Sequence, residues 1–97
     1  MIKNSNIVIT GTSHGIGREL TIKLLKSDNK VWGCSRKDDL IKMKNYFHCK
    51  VNLSDLNQIK KWINKVSKES SGKIDIFISN AAIFKRRLNL LDSFDDV

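Results

Sequence analysis

The sequence predicts an α/β fold built on a parallel sheet, and three observations support this fold class. Four short apolar segments have the length and composition of buried strands, at residues 7–10, 31–34, 46–51 and 74–79. Longer segments with apolar residues at helical spacing lie between them. A turn with three glycines directly follows the first apolar segment. Because strands that alternate with helices pair in parallel through right-handed crossovers, we expect about four strands in the order 3-2-1-4, with helices on both faces.

The first predicted helix follows the glycine turn, over residues 15–26. Ile16, Leu20 and Leu24 recur there at helical spacing, while charged residues take the opposite face. The next strand contains Trp32, which we expect to pack under a helix. Strand, helix and strand together form one βαβ unit, the building block of a parallel sheet.

The second half of the chain predicts two further helices. Residues 38–44 contain few apolar residues, and a short helix is predicted there. Ser54 is expected as the N-cap of a better-defined helix, and Asp55 beside it suits the positive end of the helix dipole. That helix is expected to end near residues 70–72, and its apolar stripe consists of Leu56, Ile59, Trp62, Ile63 and Val66.

The composition limits the class of protein. A chain of 97 residues is long enough for one domain, here residues 1–97. The net charge is +8, but the lysines are scattered through the helical segments, so we predict no nucleic-acid partner. Cys34 and Cys49 lie in apolar segments and are expected to be buried, reduced thiols that hold no metal. No apolar run approaches the roughly 18 residues of a membrane span, so we predict no membrane partner and a cytoplasmic location.

The glycine turn, residues 10–17 with the sequence T-G-T-S-H-G-I-G, predicts a phosphate-binding site. Glycine adopts positive φ at little cost, and its missing Cβ lets the main chain approach a bulky anion. The helix that follows contributes amide N–H groups without intrahelical partners and the positive end of its dipole. A flexible loop is the alternative interpretation of three glycines. We expect a nucleotide to contact the residues Gly11, Thr12, Ser13, His14, Gly15, Ile16 and Gly17.

The residues after the second strand predict which dinucleotide binds. An NAD site usually places Asp or Glu there, against the ribose hydroxyls. This chain has Ser35, Arg36 and Lys37 instead. An uncharged serine followed by two cations can pair with a 2′-phosphate, so NADP is favoured over NAD. His14 could add a third contact, and the alternative is that Arg36 and Lys37 are only surface charges.

Further motifs occur in the order and spacing of a known enzyme family. The glycine turn has the spacing T-G-x-x-x-G-x-G, residues 52–55 are N-L-S-D, and residues 79–82 are S-N-A-A. They resemble the glycine turn, the D-V-T-D segment and the N-N-A-G motif of the short-chain dehydrogenase/reductase family. The resemblance covers residues 7–97 and implies the N-terminal, NAD(P)-binding part of a Rossmann-type domain.

The resemblance also implies roles for individual residues of the two later motifs. Asn52 and Leu53 stand where the family contacts adenine, and the amide oxygen of Asn52 can accept from the adenine amino group although the family has aspartate there. The last motif implies cofactor contacts from Asn80, Ala81 and Ala82. Ala82 replaces the glycine of the family motif, so a Cβ stands beside the cofactor channel.

Catalysis is implied only by the resemblance. The family oxidises alcohols or reduces carbonyls with NAD(P), using a Ser, a Tyr-x-x-x-Lys pair and usually an Asn, and these motifs belong to the half that this sequence lacks. Tyr46 and Lys50 do have the spacing Y-x-x-x-K. On a strand, however, they lie about 13 Å apart, too far for the lysine to lower the pKa of the tyrosine. We therefore predict that Tyr46 is a packing residue and assign no catalytic residue.

Three functions of different classes remain to be compared. The leading hypothesis is an NADP(H)-binding N-terminal portion of an oxidoreductase, either truncated, a fragment or half of a split enzyme, and inactive alone. Such a chain would bind a complementary C-terminal half or self-associate through the exposed edge of the fourth strand. A non-catalytic nucleotide-binding module is the alternative. The third class, a basic nucleic-acid binder, would show steeply salt-dependent DNA binding.

Overall fold

The computed structural model describes residues 2–13, 15–38 and 41–79, and over these residues it has the predicted α/β architecture. Four strands form one parallel sheet in the order β3-β2-β1-β4, which confirms the predicted strand order. The elements in chain order are β1 (Asn6–Thr10), α1 (Gly15–Lys26), β2 (Lys30–Ser35), β3 (Tyr46–Lys50), α2 (Leu56–Glu69) and β4 (Ile76–Ile78).

The side chains of β1 and β2 enter two hydrophobic clusters, one on each face of the sheet, because successive side chains of a strand point to opposite faces. The cluster on the α1 side contains Ile7, Ile9, Leu24, Leu25, Val31, Ile41 and Tyr46. The cluster on the α2 side contains Val8, Trp32, Cys34, Val51, Ile59, Trp62 and Val66. Trp32 thus lies under a helix as predicted, and its Nε1 donates to Oε1 of Glu69 on α2 at 3.1 Å.

The N-cap of α2 lies one residue later than predicted. Asp55, and not Ser54, has the extended backbone of a cap, and its Oδ1 accepts from the backbone N–H groups of Asn57 at 3.0 Å and Gln58 at 3.3 Å. Its Oδ2 accepts from the side-chain amide of Gln58 at 3.2 Å. A carboxylate satisfies two N–H groups at the positive end of the dipole, whereas the hydroxyl of Ser54 carries no charge.

Replacement of this cap tests the corrected assignment. We expect Asp55→Ala to lower the free energy of unfolding by about 0.5 to 2 kcal/mol, because two N–H groups of α2 lose their acceptor. Urea denaturation followed by circular dichroism measures the change. Ser54→Ala is the matched control and should cost less; a larger loss in Ser54→Ala would return the cap to Ser54.

The helix predicted over residues 38–44 is absent from the described part of that segment. Residues 41–43 have no regular structure, and Lys44 and Asn45 form a turn in which Asn45 has a φ of 69°. Ile41 is buried and Met43 half-buried, while Lys42 and Lys44 are exposed. This period of two is typical of an extended chain, so burial of Ile41 and Met43 determines the conformation here.

Three apolar residues assigned to the buried helix faces are exposed instead. Ile16 is 77% exposed at the start of α1, and Leu56 is 61% exposed at the start of α2. Ile63 is exposed in the middle of α2. Both helix starts lie beyond the carboxyl ends of the strands, where the sheet no longer covers them. In the described part of the chain, neither helix is long and apolar enough to cross a membrane.

Candidate nucleotide-binding site

The carboxyl ends of the parallel strands bring the predicted site segments to one edge of the sheet. The glycine turn follows β1, residues 35–37 end β2, and Asn52 and Leu53 follow β3. Ligands of open α/β sheets bind at this edge, outside the strand ends. The structure therefore brings together three of the four predicted site segments, and Asn80, Ala81 and Ala82 lie outside the described residues.

The glycine turn is attached to the end of β2 by its backbone. The N–H groups of Gly11 and Thr12 both donate to the carbonyl oxygen of Cys34, at 2.9 and 3.2 Å. Gly11 has a φ of 72° and Gly15 a φ of 62°, values that residues with a Cβ rarely adopt. The two glycines therefore allow the chain to reverse from β1 into α1 above the strand end.

The start of α1 directly follows the turn and presents backbone N–H groups beside it. Gly15, Ile16 and Gly17 form its first turn, where N–H groups lack intrahelical acceptors. Gly17 is buried, and its carbonyl oxygen accepts from the hydroxyl of Thr21 at 2.7 Å. The exposed side chain of Ile16 stands beside these amides, and His14 lies outside the described residues. The backbone of this turn, with the helix dipole behind it, is suited to a phosphate.

Thr12 and Ser13, which are predicted to contact a nucleotide, are both buried. Thr12 is 0% exposed, and its Oγ1 lies 2.6 Å from the hydroxyl of Tyr46. Ser13 is also buried. The side chain of Thr12 therefore points into the protein, and what this residue offers a ligand is its backbone.

The segment at the end of β2, which we call the β2 tip and define as residues 35–37, exposes two cations next to a buried serine. Ser35 is 7% exposed, and its Oγ accepts from the N–H of Lys37 at 3.3 Å and donates to the Lys37 carbonyl at 3.0 Å. Arg36 and Lys37 are exposed, and neither takes part in an ion pair within the described residues. Ser35 thus shapes the β2 tip, and the two cations project from it.

Tyr46, predicted to be only a packing residue, and His48, for which the sequence predicted no role, contact two of these segments. Tyr46 Oη lies 2.8 Å from His48 Nδ1, and His48 Nε2 lies 3.0 Å from the Lys37 carbonyl oxygen and 3.3 Å from Ser35 Oγ. Tyr46 lies on β3 as predicted and is part of the core. Two polar residues at positions i and i+2 of a strand share one face, and this signal could have identified them.

Gly33 makes the contact between β3 and the glycine turn possible. A Cβ built on this residue would lie 2.6 Å from Tyr46 Oη and 2.8 Å from Thr12 Cγ2. Gly33 is opposite His48 in the register of β2 and β3, so its missing side chain leaves a channel across β2. The Tyr46 hydroxyl reaches Thr12 through this channel.

The residues after β3 form a tight turn. Asn52 Oδ1 accepts from the N–H of Ser54 at 2.9 Å, and the N–H of Asn52 donates to Gln58 Oε1 at 2.7 Å. Leu53 is half-buried against the cluster on the α2 side. One lone pair of the Asn52 amide oxygen is therefore already used by the turn, which leaves a second one for a ligand.

The two cysteines are free, and only one of them is fully buried. Burial raises the pKa of the Cys34 thiol to about 12, so this residue stays a neutral thiol at physiological pH. Cys49 is its neighbour on β3 and is half-buried, less than predicted. The backbone carbonyl oxygen of Cys34, and not its thiol, contacts the glycine turn by accepting from the N–H groups of Gly11 and Thr12.

Comparisons with known proteins agree with this fold. The family model for short chain dehydrogenase matches residues 5–96. The chain is 30% identical to the aldohexose dehydrogenase of Thermoplasma acidophilum, solved in ligand-free form, with a TM-score of 0.74 over 84% of this chain and 31% of that one. It is 28% identical to ElxO, solved with NADP bound, with a TM-score of 0.70 over 84% of this chain and 36% of that one.

A third solved relative contains the other dinucleotide. This oxidoreductase of Brucella ovis, from the short chain dehydrogenase/reductase family, is in complex with a partially ordered NAD. It is 28% identical, with a TM-score of 0.66 over 81% of this chain and 39% of that one. The chain thus spans about a third of the length of these three relatives. No curated protein sequence matches it.

Proposed function

Because the chain belongs to the short-chain dehydrogenase family, we propose that it binds NADP(H) as the N-terminal, cofactor-binding portion of an oxidoreductase that transfers hydride between this cofactor and an alcohol or carbonyl substrate. The observation that carries the proposal is the attachment of the glycine turn to β2. Through the Cys34 carbonyl, the phosphate-binding backbone and the cationic β2 tip are held at one strand end.

Different segments of the chain would contact different parts of NADP(H). We assign the pyrophosphate to the backbone of residues 11–17, and the 2′-phosphate to Arg36 and Lys37, with His14 as a third contact. A guanidinium pairs with phosphate through charge-assisted hydrogen bonds, which favours NADP over NAD. Asn52 and Leu53 would contact adenine, and Asn80, Ala81 and Ala82 the nicotinamide side. The family's cofactor supplies the hydride, while these residues only bind and orient it.

Binding measurements test the assignment of the adenosine end. We expect adenosine 2′,5′-bisphosphate to bind the chain nearly as well as NADP, because the proposed contacts hold the phosphates and the adenosine. Isothermal titration calorimetry measures both affinities. Gly17→Val should abolish both, since Gly17 is buried in the first turn of α1. Unchanged affinity in Gly17→Val, or no binding by the unmutated chain, would remove the glycine turn from the function.

Within the described residues, the Y-x-x-x-K pair formed by Tyr46 and Lys50 lies on a strand and not on a helix. Tyr46 lies on β3 with its hydroxyl bonded to Thr12 and His48, and Lys50 pairs with Asp38 at 3.4 Å. A proton donor must lie within about 3 Å of the substrate oxygen. We therefore expect no NADPH consumption by the chain alone with a panel of aldehydes and ketones. Turnover that Tyr46→Phe abolishes would make Tyr46 the proton donor and contradict the proposal.

A non-catalytic nucleotide-binding module is the second candidate function. It predicts the same nucleotide affinities, so binding does not separate the two. Addition of a separately expressed C-terminal segment that carries the family's Ser and Tyr-x-x-x-Lys motifs does separate them. Restored NADPH consumption would support half of an oxidoreductase, and its failure despite formation of a complex would support the module.

The outer strand β4 is the proposed contact for a complementary half or for a second copy of this chain. It is the outermost strand of the described sheet, and Phe77 is 56% exposed on it. Ile78, the position that the sequence suggested for a charge, is half-buried against the α1-side cluster. We expect Phe77→Lys to reduce self-association at micromolar concentration, measured by light scattering, since a lysine at a sheet edge opposes strand pairing. A monomeric unmutated chain would contradict self-association.

A further inference from the structure

A continuous chain of side-chain contacts links the glycine turn to the β2 tip. It begins at Thr12 Oγ1, passes through Tyr46 Oη and the His48 imidazole, and ends at the Lys37 carbonyl oxygen, with distances of 2.6, 2.8 and 3.0 Å between successive atoms. The two ends of this chain of contacts, Thr12 and Lys37, are 25 residues apart in the sequence, and both belong to segments assigned to the same ligand.

The direction of the hydrogen bonds follows from the groups at the ends. A carbonyl oxygen only accepts, so Nε2 of His48 carries the proton that is donated to Lys37. In the neutral imidazole, Nδ1 then accepts from Tyr46, and Tyr46 accepts from the Thr12 hydroxyl. In the imidazolium form the two hydroxyl bonds reverse, and Thr12 donates to the Cys34 carbonyl at 3.5 Å. Both protonation states keep the bond to Lys37.

The bond from His48 restrains the backbone on which Arg36 stands. Arg36 lies between Ser35, whose hydroxyl bonds both backbone groups of Lys37, and Lys37 itself, whose carbonyl also accepts from His48. Three hydrogen bonds thus restrain the backbone next to Arg36, whose side chain is exposed. Because ordering of a loop on binding costs conformational entropy, a loop that is already ordered binds its ligand more tightly.

We propose that His48 and Tyr46 are positioning residues that set the preference for a 2′-phosphorylated nucleotide by holding the β2 tip. The inference rests on the proposed NADP(H) binding and deepens it. Neither residue touches the nucleotide in this scheme. They act on Arg36 and Lys37 through the Lys37 carbonyl, so their loss weakens the bonds to the 2′-phosphate more than those to the pyrophosphate. The measurable quantity is the ratio of the affinities for NADP and NAD.

Two substitutions of His48 form a matched pair. In His48→Gln the side-chain amide nitrogen extends about as far as Nε2 and can still donate to the Lys37 carbonyl. In His48→Asn the amide is one methylene shorter and reaches only toward Tyr46. His48 is half-buried in the middle of β3 and belongs to neither hydrophobic cluster, so neither substitution opens a cavity in the core. A residue that only fills space would respond similarly to both.

We expect His48→Asn to lower the NADP-to-NAD affinity ratio about fivefold, the effect of one lost hydrogen bond, and His48→Gln to leave it within about twofold. Tyr46→Phe should lower the ratio as His48→Asn does, because it removes the hydroxyl that orients the imidazole. Calorimetry with NADP and NAD gives the ratio. An independent measurement without nucleotide is amide hydrogen exchange at Lys37, which should be faster in His48→Asn than in His48→Gln.

The outcomes separate this inference from the proposed function. Equal ratios and equal Lys37 exchange in His48→Asn, His48→Gln and the unmutated chain would overturn the positioning role and leave NADP binding intact. Equal affinities for NADP and NAD in the unmutated chain would overturn the NADP preference itself, and with it the inference. Faster exchange with an unchanged ratio would show that the β2 tip is held but does not select the nucleotide, which also overturns the inference.

Discussion

Arg36→Asp should reverse the nucleotide preference of this chain. If Arg36 bonds the 2′-phosphate, its charge-assisted hydrogen bonds favour NADP about ten- to hundredfold over NAD in the unmutated chain. A carboxylate in its place repels the 2′-phosphate and accepts hydrogen bonds from the ribose hydroxyls of NAD. Arg36 is exposed and has no ion-pair partner within the described residues, so the substitution should cost little stability. Calorimetric titration with both nucleotides measures the reversal.

Lys44→Asp is the matched control for this reversal. It makes the same change of two charges, and Lys44 is likewise exposed, but it precedes β3 and lies toward the amino ends of the strands. The control should keep the preference for NADP. A parallel loss of preference in Lys44→Asp would mean that the net charge of +8, and not a local contact, attracts the phosphate. Equal affinities in the unmutated chain would contradict the assignment of Arg36.

Gly33→Ala is expected to lower the free energy of unfolding by about 1 to 3 kcal/mol, a typical cost of overpacking. The added Cβ would lie 2.6 Å from Tyr46 Oη and 2.8 Å from both Tyr46 Cε1 and Thr12 Cγ2. The end of the tyrosine ring can move away only by breaking its bonds to Thr12 and His48. Thr12 is buried, so a hydroxyl without its partner adds to the cost.

Urea denaturation of single and double variants measures this effect. Gly72→Asn is the control, because nothing lies within 4 Å of its added Cβ and asparagine tolerates its φ of 75°. Gly33→Ala combined with Tyr46→Phe should destabilise by less than the sum of the two single changes, since both act on the same contact. A loss below about 0.5 kcal/mol in Gly33→Ala would show that the ring adjusts freely.

The sequence by itself determined the fold class and the strand order, and it predicted the candidate site. Apolar strands alternate with amphipathic segments, and this pattern allows few topologies because parallel crossovers are right-handed. The glycine turn can also be identified from neighbouring residues alone. Gly11 and Gly15 have positive φ values, which glycine adopts at little cost. Motifs of this kind depend on neighbours along the chain, so they can be identified without a structure.

Some local features were decided by tertiary contacts. Residues 41–43 are extended because Ile41 and Met43 pack on the α1-side cluster, although the segment was predicted to be a helix. The exposure of Ile16 and Leu56 depends on where the sheet ends, which helical spacing does not reveal. The N-cap of α2 is Asp55 and not the adjacent Ser54. A difference of one residue is within the uncertainty of helix ends assigned from local sequence.

Only the tertiary structure decided how the glycine turn and the β2 tip are supported. Thr12 and Tyr46 are 34 residues apart in the sequence, and they meet because β2 lies between their strands and has a glycine at the crossing point. His48 reaches Lys37 for the same reason, since parallel pairing places it beside the end of β2. Hydrogen bonds between side chains of different strands depend on register and packing, and no periodicity in the sequence records them.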